Sequence, residues 1–154
     1  MVAQDLLHEL FEYKNGDLIR KVRTAHCTHI GDVAGGLDTS RGYIRIRLNG
    51  KSHKAHRLIY TMHHGDIPKG LQIDHINCIK TDNRIENLRL VTSQENSFNT
   101  NAKGYTKRAS GRYKASIRVD GKYINLGLFD KKEDAHQAYL EAKKELHIIK
   151  EKVA

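Results

Sequence analysis

Residues 71–99 read LQIDHINCIKTDNRIENLRLVTSQENSFN, and the interpretation of the whole chain starts from them. Two short apolar runs predict strands, of which the first ends at Asp74 and His75 and the second covers 88–91. Thr92-Ser93-Gln94-Glu95 has the Ser/Thr-x-x-Glu pattern of a capping box, which predicts that a helix begins there. The predicted order is therefore strand, polar loop, strand, helix.

The polar residues at these junctions match the needs of phosphodiester hydrolysis. His75 is a candidate general base, because the unperturbed pKa of histidine, roughly 6.5, lies near working pH. A divalent cation can offset the phosphate charge and stabilise the leaving oxygen. Mg²⁺ prefers oxygen ligands, which the Asp74 carboxylate and the Asn96 amide carbonyl can supply. Neighbouring strand residues point to opposite faces, so Asp74 and His75 can serve one site only if the strand ends or twists there.

This pattern resembles the HNH, or ββα-metal, endonucleases, and in particular the phage and intron-borne homing enzymes. The resemblance rests on Asp74-His75, Asp82-Asn83-Arg84, Asn87-Leu88-Arg89, Val91-Thr92 and Asn96. It implies that His75 is the general base and that Asp74 and Asn96 hold one divalent ion. It also implies that Asn87 orients the loop and the base, and that the products carry 5′-phosphate and 3′-hydroxyl ends. The named pattern ends in histidine, whereas Asn96 is typical of the homing branch and favours Mg²⁺ or Mn²⁺ over zinc.

A second basic module is predicted after this motif. Strands are predicted at 105–109, 113–119 and 122–129, followed by a helix from 131 to about 147 that Asp130 would cap. The candidate DNA-binding residues of this module are Lys107, Arg108, Arg112, Lys114, Ser116 and Arg118. The last four of these share one strand face by period two, and such a ribbon can enter the major groove of DNA. A solvated basic face is the plain alternative.

The stretch from Gly104 to about His147 resembles the AP2/ERF type of DNA-binding domain. The matching features are Lys114-Ala115-x-Ile117, Gly121-Lys122, Leu126-Gly127-x-Phe129, and Glu133-x-Ala135 with Ala138-Tyr139. The resemblance implies a small three-stranded antiparallel sheet packed on one helix. Tyr113 stands where the family often has tryptophan, which leaves the base and sugar contacts open.

Residues 1–54 are predicted to form a β-rich extension with turns at Asn15-Gly16 and Asn49-Gly50. Alternation along 43–48 places Arg45 and Arg47 on one strand face, and we expect Lys51 of the returning strand to join them. This face can contact a DNA backbone or be simply solvated.

Several histidines and a cysteine lie outside the motif, and the sequence assigns them no role. His56 lies on a helix predicted at 55–64 and could approach the site at 74–75. His26, Cys27 and His29 lie in an irregular stretch, and their spacing is too tight for a usual metal chelate.

Composition limits the class of protein. The formal net charge is +9, which favours a nucleic-acid partner, although a basic protein without one is the alternative. Two cysteines predict no disulfide framework. No apolar run approaches membrane length. We therefore expect an intracellular location and no membrane partner.

Taken together, the sequence predicts an α+β chain with a β-rich extension at 1–54, a nuclease core at 55–99, a linker at 100–103 and the AP2-like domain at 104–150. The predicted function is sequence-targeted, metal-dependent cleavage of double-stranded DNA by a monomer or homodimer. The resemblance places it in the cytoplasm or nucleoid of a bacterial host if the gene is phage-borne. The alternatives are a DNA-binding regulator that keeps the fold without cutting, and a nuclease within a larger assembly. The target sequence and the choice between nicking and double-strand cutting are not predicted.

Overall fold

The computed structural model describes residues 2–149, which divide into a first unit, 2–92, and a second unit, 93–149. Both units combine short helices with small antiparallel sheets, which confirms the predicted mixed α and β class. The division falls between Thr92 and Ser93, so the helix expected at the end of the nuclease core belongs to the second unit. The predicted end of the AP2-like domain, residue 150, lies outside the described residues, and the predicted domain boundaries stay predictions.

The first unit contains two helices and seven strands arranged in three antiparallel sheets, β1-β2, β3-β4-β5 and β6-β7. The elements are α1 (Gln4–Leu10), β1 (Phe11–Lys14), β2 (Asp17–Arg20), β3 (Gly36–Asp38), β4 (Tyr43–Leu48), β5 (Lys51–Lys54), α2 (Ala55–His64), β6 (Leu71–His75) and β7 (Leu88–Thr92). A 3₁₀ turn at Ile85–Asn87 leads directly into β7. The predicted helix at 55–64 is confirmed, and it ends at Gly65, whose φ of 81° suits glycine.

Helix α2 holds the first unit together, because it packs against α1 and against strands of all three sheets. The fully buried side chains of this core include Leu7, Phe11, Leu18, Ile46, Ile59 and Leu90. They come from segments far apart in sequence. The segment 1–54 therefore shares one hydrophobic core with the residues of the predicted nuclease motif. Burying each such side chain contributes roughly 1.5–3 kcal/mol to the stability of this core.

The β1-β2 hairpin supports the loop that precedes β7. Asn15 and Gly16 both have positive φ values, 48° and 92°, as a two-residue hairpin turn of this kind requires. A Cβ atom at Gly16 would lie 2.8 Å from the backbone nitrogen of Arg84, so only glycine permits this close approach. The Tyr13 hydroxyl accepts a hydrogen bond from the backbone N–H of Ile85 at 3.0 Å. The hairpin therefore fixes the loop from two sides.

The polar face of the β3-β4-β5 sheet differs in one respect from the sequence expectation. Register pairs Arg45 with Lys54 and Arg47 with Ser52, whereas Lys51 pairs with Leu48. Directly paired residues lie on the same face of an antiparallel sheet. The expectation that Lys51 joins Arg45 and Arg47 is wrong, and Lys54 takes that place.

The second unit begins with a short helix and continues as a sheet covered by a longer helix. Its elements are α3 (Ser93–Phe98), β8 (Tyr105–Lys107), β9 (Tyr113–Val119), β10 (Lys122–Phe129) and α4 (Lys132–Leu146), with the antiparallel strand order β10-β9-β8. Helix α4 packs on the sheet, where Ala115 and Ile117 of β9 are buried together with Ala135 and Tyr139 of α4. Gly104 has φ 72°, and a Cβ atom there would overlap the Tyr139 ring.

The start of α4 also differs from the expectation. Lys131 is the N-cap residue and makes no side-chain capping bond. Asp130 instead forms an ion pair with Arg112, with 2.8 Å between the Asp130 Oδ1 and the Arg112 Nε. The prediction that Asp130 caps this helix is wrong, because a nearby guanidinium engages its carboxylate.

Candidate functional site

Asp74 and His75 are the last two residues of β6, as their use in one site requires. Both side chains are almost completely buried, with 7% of Asp74 and 5% of His75 exposed. Register pairs Asp74 with Arg89 and His75 with Leu88 across the β6-β7 ladder. The polar residues after β6 therefore end the strand where the sequence predicts.

The carboxylate of Asp74 is held by the side chain opposite it on β7. The Nε and Nη2 atoms of Arg89 both donate to Asp74 Oδ2, at 3.0 and 2.8 Å. Hydrogen bonds between charged groups are stronger and more directional than those between neutral groups. This pair fixes the orientation of a buried acid immediately beside His75.

The imidazole ring of His75 lies between three side chains. Its Nε2 atom is 3.1 Å from Asn83 Oδ1, and both side chains are buried. The His56 ring packs against the His75 ring edge-to-face, with 4.8 Å between ring centroids. The Tyr43 ring lies 6.2 Å from the His75 ring and 5.2 Å from the His56 ring. These neighbours limit the positions that the His75 ring can take.

His56, which packs against His75, has a strongly lowered pKa. It is 3% exposed, and its Nδ1 atom is buried without a hydrogen-bond partner. Burial lowers the pKa of His56 to about 3, with a smaller contribution from the charge of His75. His56 is therefore neutral at working pH and adds no positive charge beside His75.

A network of hydrogen bonds fixes the loop between β6 and β7. Asn87 Nδ2 donates to Asn77 Oδ1 at 3.0 Å and to the Asp82 carbonyl at 2.8 Å. The backbone N–H of Asn77 donates to Asn87 Oδ1 at 3.0 Å. Arg84 donates to both carboxylate oxygens of Asp82, and these bonds hold the pKa of Asp82 well below its usual range. Asn87 thus ties the two ends of the loop together.

The structure brings some of the predicted site residues together. Asp74 and His75 lie at the end of β6, and the Asn87 carbonyl accepts a hydrogen bond from the backbone N–H of Ile76, the next residue. Asn96 lies on α3 of the second unit. Among residues 2–149, no three His, Cys, Asp or Glu side chains cluster as a metal-binding group. The predicted ligands, the Asp74 carboxylate and the Asn96 amide, are too few to form such a group, and only the carboxylate is of these types.

Two functional contacts are not evident from the sequence motif. Asn83 bonds the His75 ring, although the sequence suggests only a local role in the loop for it. Arg89 bonds Asp74, although the sequence suggests only a possible phosphate contact. The signal for Arg89 is the strand register, because a residue that pairs with a buried acid is well placed to neutralise it.

The candidate DNA-binding residues of the first unit lie on the polar face of β4. Arg45 Nε donates to Ser52 Oγ at 2.8 Å, and its Nη1 atom lies 3.5 Å from a carboxylate oxygen of Asp38. Arg47 is exposed two residues further along the same strand. Lys54 lies beside them by register.

The second unit presents part of its predicted surface as one open sheet face. Register pairs Lys114 with Leu128, Ser116 with Asn125 and Arg118 with Tyr123, so these six residues share a face. Tyr123 is 74% exposed, and the guanidinium carbon of Arg118 lies 5.6 Å from the centre of its ring. This face opposes the one that packs on α4.

The other three candidates of this unit have different surroundings. Arg112 is engaged by Asp130 and by the Leu128 carbonyl at 3.0 Å. Lys107 pairs with Tyr113, which places it on the face opposite that of Lys114. Arg108 is exposed after the end of β8. The open face therefore contains Lys114, Ser116 and Arg118 of the predicted set.

The remaining residues to which the sequence assigns no role lie in loops. His26, Cys27 and His29 are exposed in the loop between β2 and β3. Within residues 2–149, neither Cys27 nor Cys78 forms a disulfide. None of the described helices is long and apolar enough to span a membrane.

Comparison with known proteins agrees with the motif. Residues 53–98 match the family model HNH_3, described as HNH endonuclease. An uncharacterized HNH endonuclease of Acanthamoeba polyphaga mimivirus is 40% identical over 89 residues, which cover 54% of this chain and 48% of the relative. A protein of Bacillus subtilis (strain 168), from the SPbeta prophage and named as an HNH homing endonuclease, is 35% identical over 57 residues, covering 37% of this chain and 33% of the relative.

The chain therefore spans half or less of the length of these curated relatives. Among solved structures, the HNH homing endonuclease I-HmuI, described for DNA binding and cleavage, aligns with a TM-score of 0.45 and 22% identity. That alignment covers 72% of this chain and 67% of the other. The sequence match to the HNH endonuclease family covers β6, the loop, β7 and α3, which are the elements that contain Asp74, His75, Asn87 and Asn96.

Proposed function

We propose that this chain is a DNA endonuclease of the HNH homing type, which hydrolyses phosphodiester bonds with the help of a divalent cation. The observation that carries the proposal is the buried end of β6, where Asn83 holds the ring of His75 within the segment that matches the HNH endonuclease family. A regulator that only binds DNA has no need for a buried histidine whose ring is held by a side-chain hydrogen bond at this position.

In the proposed mechanism, His75 removes a proton from the attacking water. The oxygen of the Asn83 amide can only accept a hydrogen bond, so His75 Nε2 must carry its hydrogen. In the proposed step, the other ring nitrogen, Nδ1, receives the proton. The neutral ring of His56 packs against this ring without competing for the proton.

Asp74 and Asn96 would hold the divalent ion, Mg²⁺ or Mn²⁺. A carboxylate oriented by Arg89 and an amide carbonyl are hard oxygen donors of the kind that these ions prefer. When bound, the ion would offset charge on the phosphate and on the leaving oxygen. Asn87 maintains the loop that joins the strand of Asp74 to β7.

Binding of double-stranded DNA would involve both units. In the first unit, Arg45 and Arg47 lie on the polar face of β4. In the second unit, an AP2-like sheet would read DNA through its open face, with Lys114, Ser116 and Arg118 among the contacts. Lys107, Arg108 and Arg112 would support binding at the edges of that sheet.

The test is cleavage of supercoiled plasmid DNA with Mg²⁺ by the intact chain and by His75→Ala. The intact chain should convert the plasmid to open-circle or linear form, and His75→Ala should not. An exposed-histidine variant, His26→Ala, serves as the matched control and should cut normally. The new ends should accept a label at the 3′-hydroxyl and carry a 5′-phosphate.

Two results would count against the proposal. Cutting that survives His75→Ala would show that another group acts as the base. Tight binding without cutting, on DNA selected for binding and with several divalent ions, would favour the regulator.

A further inference from the structure

A cluster of cations surrounds Tyr43 next to the His75 ring, and the proposed mechanism does not use it. The Lys54 ammonium lies 4.3 Å from the centre of the Tyr43 ring, and the Lys80 ammonium lies 5.0 Å from it. Tyr43 and Lys54 belong to the polar face of β4 and β5, whereas Lys80 comes from the loop after β6. Three separate segments therefore meet at one aromatic ring.

These cations repel one another, and Asp38, which lies opposite Tyr43 in the sheet register, is already paired with Arg45. Burial lowers the pKa of Lys54, and the charges of Arg57, Arg41, Arg45 and Lys80 lower it further. Among residues 2–149, neither Lys54 nor Lys80 has a carboxylate oxygen within ion-pair distance. Lys80 donates to the Arg41 carbonyl at 3.1 Å, which is a neutral acceptor.

The aromatic ring explains how both ammonium groups are held beside it without being neutralised. A ring face attracts a cation through its quadrupole but carries no net charge. Each lysine is thereby positioned while its full charge stays available for an anion. Such an arrangement suits a ligand with negative charge that approaches the polar face of β4 from solvent.

We propose that Tyr43, Lys54 and Lys80 form a binding site for a backbone phosphate of DNA beside His75. The proposal rests on the proposed nuclease function and deepens it, because it names where a phosphate of the bound strand is held. The distance of 6.2 Å between the Tyr43 and His75 rings places this phosphate at or next to the one that is cut. The extended polar face, with Arg47 further along β4, then continues the path of the DNA backbone.

The decisive experiment measures binding, so that it does not depend on cleavage. Non-specific affinity for a short random-sequence duplex is measured against salt concentration without divalent ions. Each phosphate contact contributes about 0.9 to the slope of log affinity against log salt. The Lys54→Met/Lys80→Met variant should lower the magnitude of this slope by about 0.9, because the two lysines hold one phosphate. The matched control, Lys14→Met/Lys69→Met, removes two exposed lysines of the same unit and should leave the slope unchanged.

A second pair of variants tests the ring. Tyr43→Phe keeps the aromatic face and should bind with wild-type affinity and slope. Tyr43→Leu should bind at least several-fold more weakly, with circular dichroism confirming that it folds. Equal affinity of these two variants would overturn the role of the ring.

The outcomes separate this site from the nuclease proposal. An unchanged slope in the double-lysine variant, or no DNA binding by the intact chain, overturns the phosphate site. A lowered slope in a chain that never cuts DNA supports the phosphate site and refutes the nuclease. A lowered slope together with His75-dependent cutting supports both.

Discussion

Acid should destabilise the first unit through His56, at a pH where the carboxylates are still ionised. Burial lowers the pKa of His56 to about 3 in the folded chain, whereas unfolding exposes it and restores a pKa of roughly 6.5. Between these two values the unfolded state binds a proton that the folded state does not. The free energy of unfolding therefore rises with pH in this range, and it is lost as pH falls below about 6.5. The slope approaches about 1.4 kcal/mol for each pH unit.

From pH 7 to pH 5, this linkage predicts a loss of about 2 kcal/mol in the free energy of unfolding. The assay is urea unfolding followed by far-ultraviolet circular dichroism, since the chain has no tryptophan to report by fluorescence. His56→Leu should remove most of the loss over this range, and His26→Gln, at an exposed loop position, should retain it. Asp38 and Asp82 have lowered pKa values, so the stability they contribute is present above about 4, the unfolded value, and is lost only as pH falls below it through their folded pKa values. Equal pH dependence in the wild type and His56→Leu would refute the reasoning.

Three further changes test the site and the packing. Asn83→Leu should lower kcat for cleavage about 100-fold with little change in KM, because a His75 ring that is no longer oriented reacts poorly. Asn83→Asp keeps an acceptor oxygen and should retain more activity. Equal rates for the two variants would contradict the orienting role of Asn83. Arg89→Leu should cost about 3 kcal/mol in urea unfolding, because it leaves the buried Asp74 carboxylate without its guanidinium partner. Adding Asp74→Asn should recover part of that loss, and additive losses would argue against the pair. Ile117→Ala should destabilise the second unit by about 3 kcal/mol because Ile117 is 1% exposed, whereas Lys122→Ala on the same sheet should be nearly neutral in the same measurement.

The elements with strong local signals could be predicted from the sequence. Asn15-Gly16 and Asn49-Gly50 form turns between paired strands, and both have the positive φ values that this dipeptide favours. The apolar spacing at 55–64 predicts α2 with the correct ends. These patterns depend on neighbours only a few residues apart, which is why they can be recognised without the fold.

The position of Lys51 follows from the turn that precedes it. A two-residue turn at Asn49-Gly50 pairs Leu48 directly with Lys51, and paired residues share a face. Lys51 therefore lies with the apolar side of β4, and Lys54 is the residue that joins Arg45. Counting the register from the turn gives this result, whereas counting charges along the strand does not.

The contacts of Asn83 and Asp130 cannot be predicted from strand register or from any other local pattern in the sequence. Asn83 reaches His75 because the loop between them folds back through bonds from Asn77, Asp82 and Asn87, which are all short polar side chains with many possible partners. Asp130 precedes a helix and suits a cap, but a guanidinium brought near by the sheet is the stronger partner. In both cases the choice between partners is made by tertiary structure.

The extension at 1–54 is part of the proposed catalytic site and does more than add DNA contacts to it. Tyr13 bonds the backbone of the loop before β7, and the turn at Gly16 fits against Arg84 at a distance that no side chain would permit. Tyr43 approaches both His56 and His75. The match to the HNH endonuclease family begins only at residue 53, so these three contacts come from outside it. Because an orienting contact must be rigid to be useful, we expect the core that joins α1, the two hairpins and α2 to support the geometry of His75 alongside the contact with Asn83.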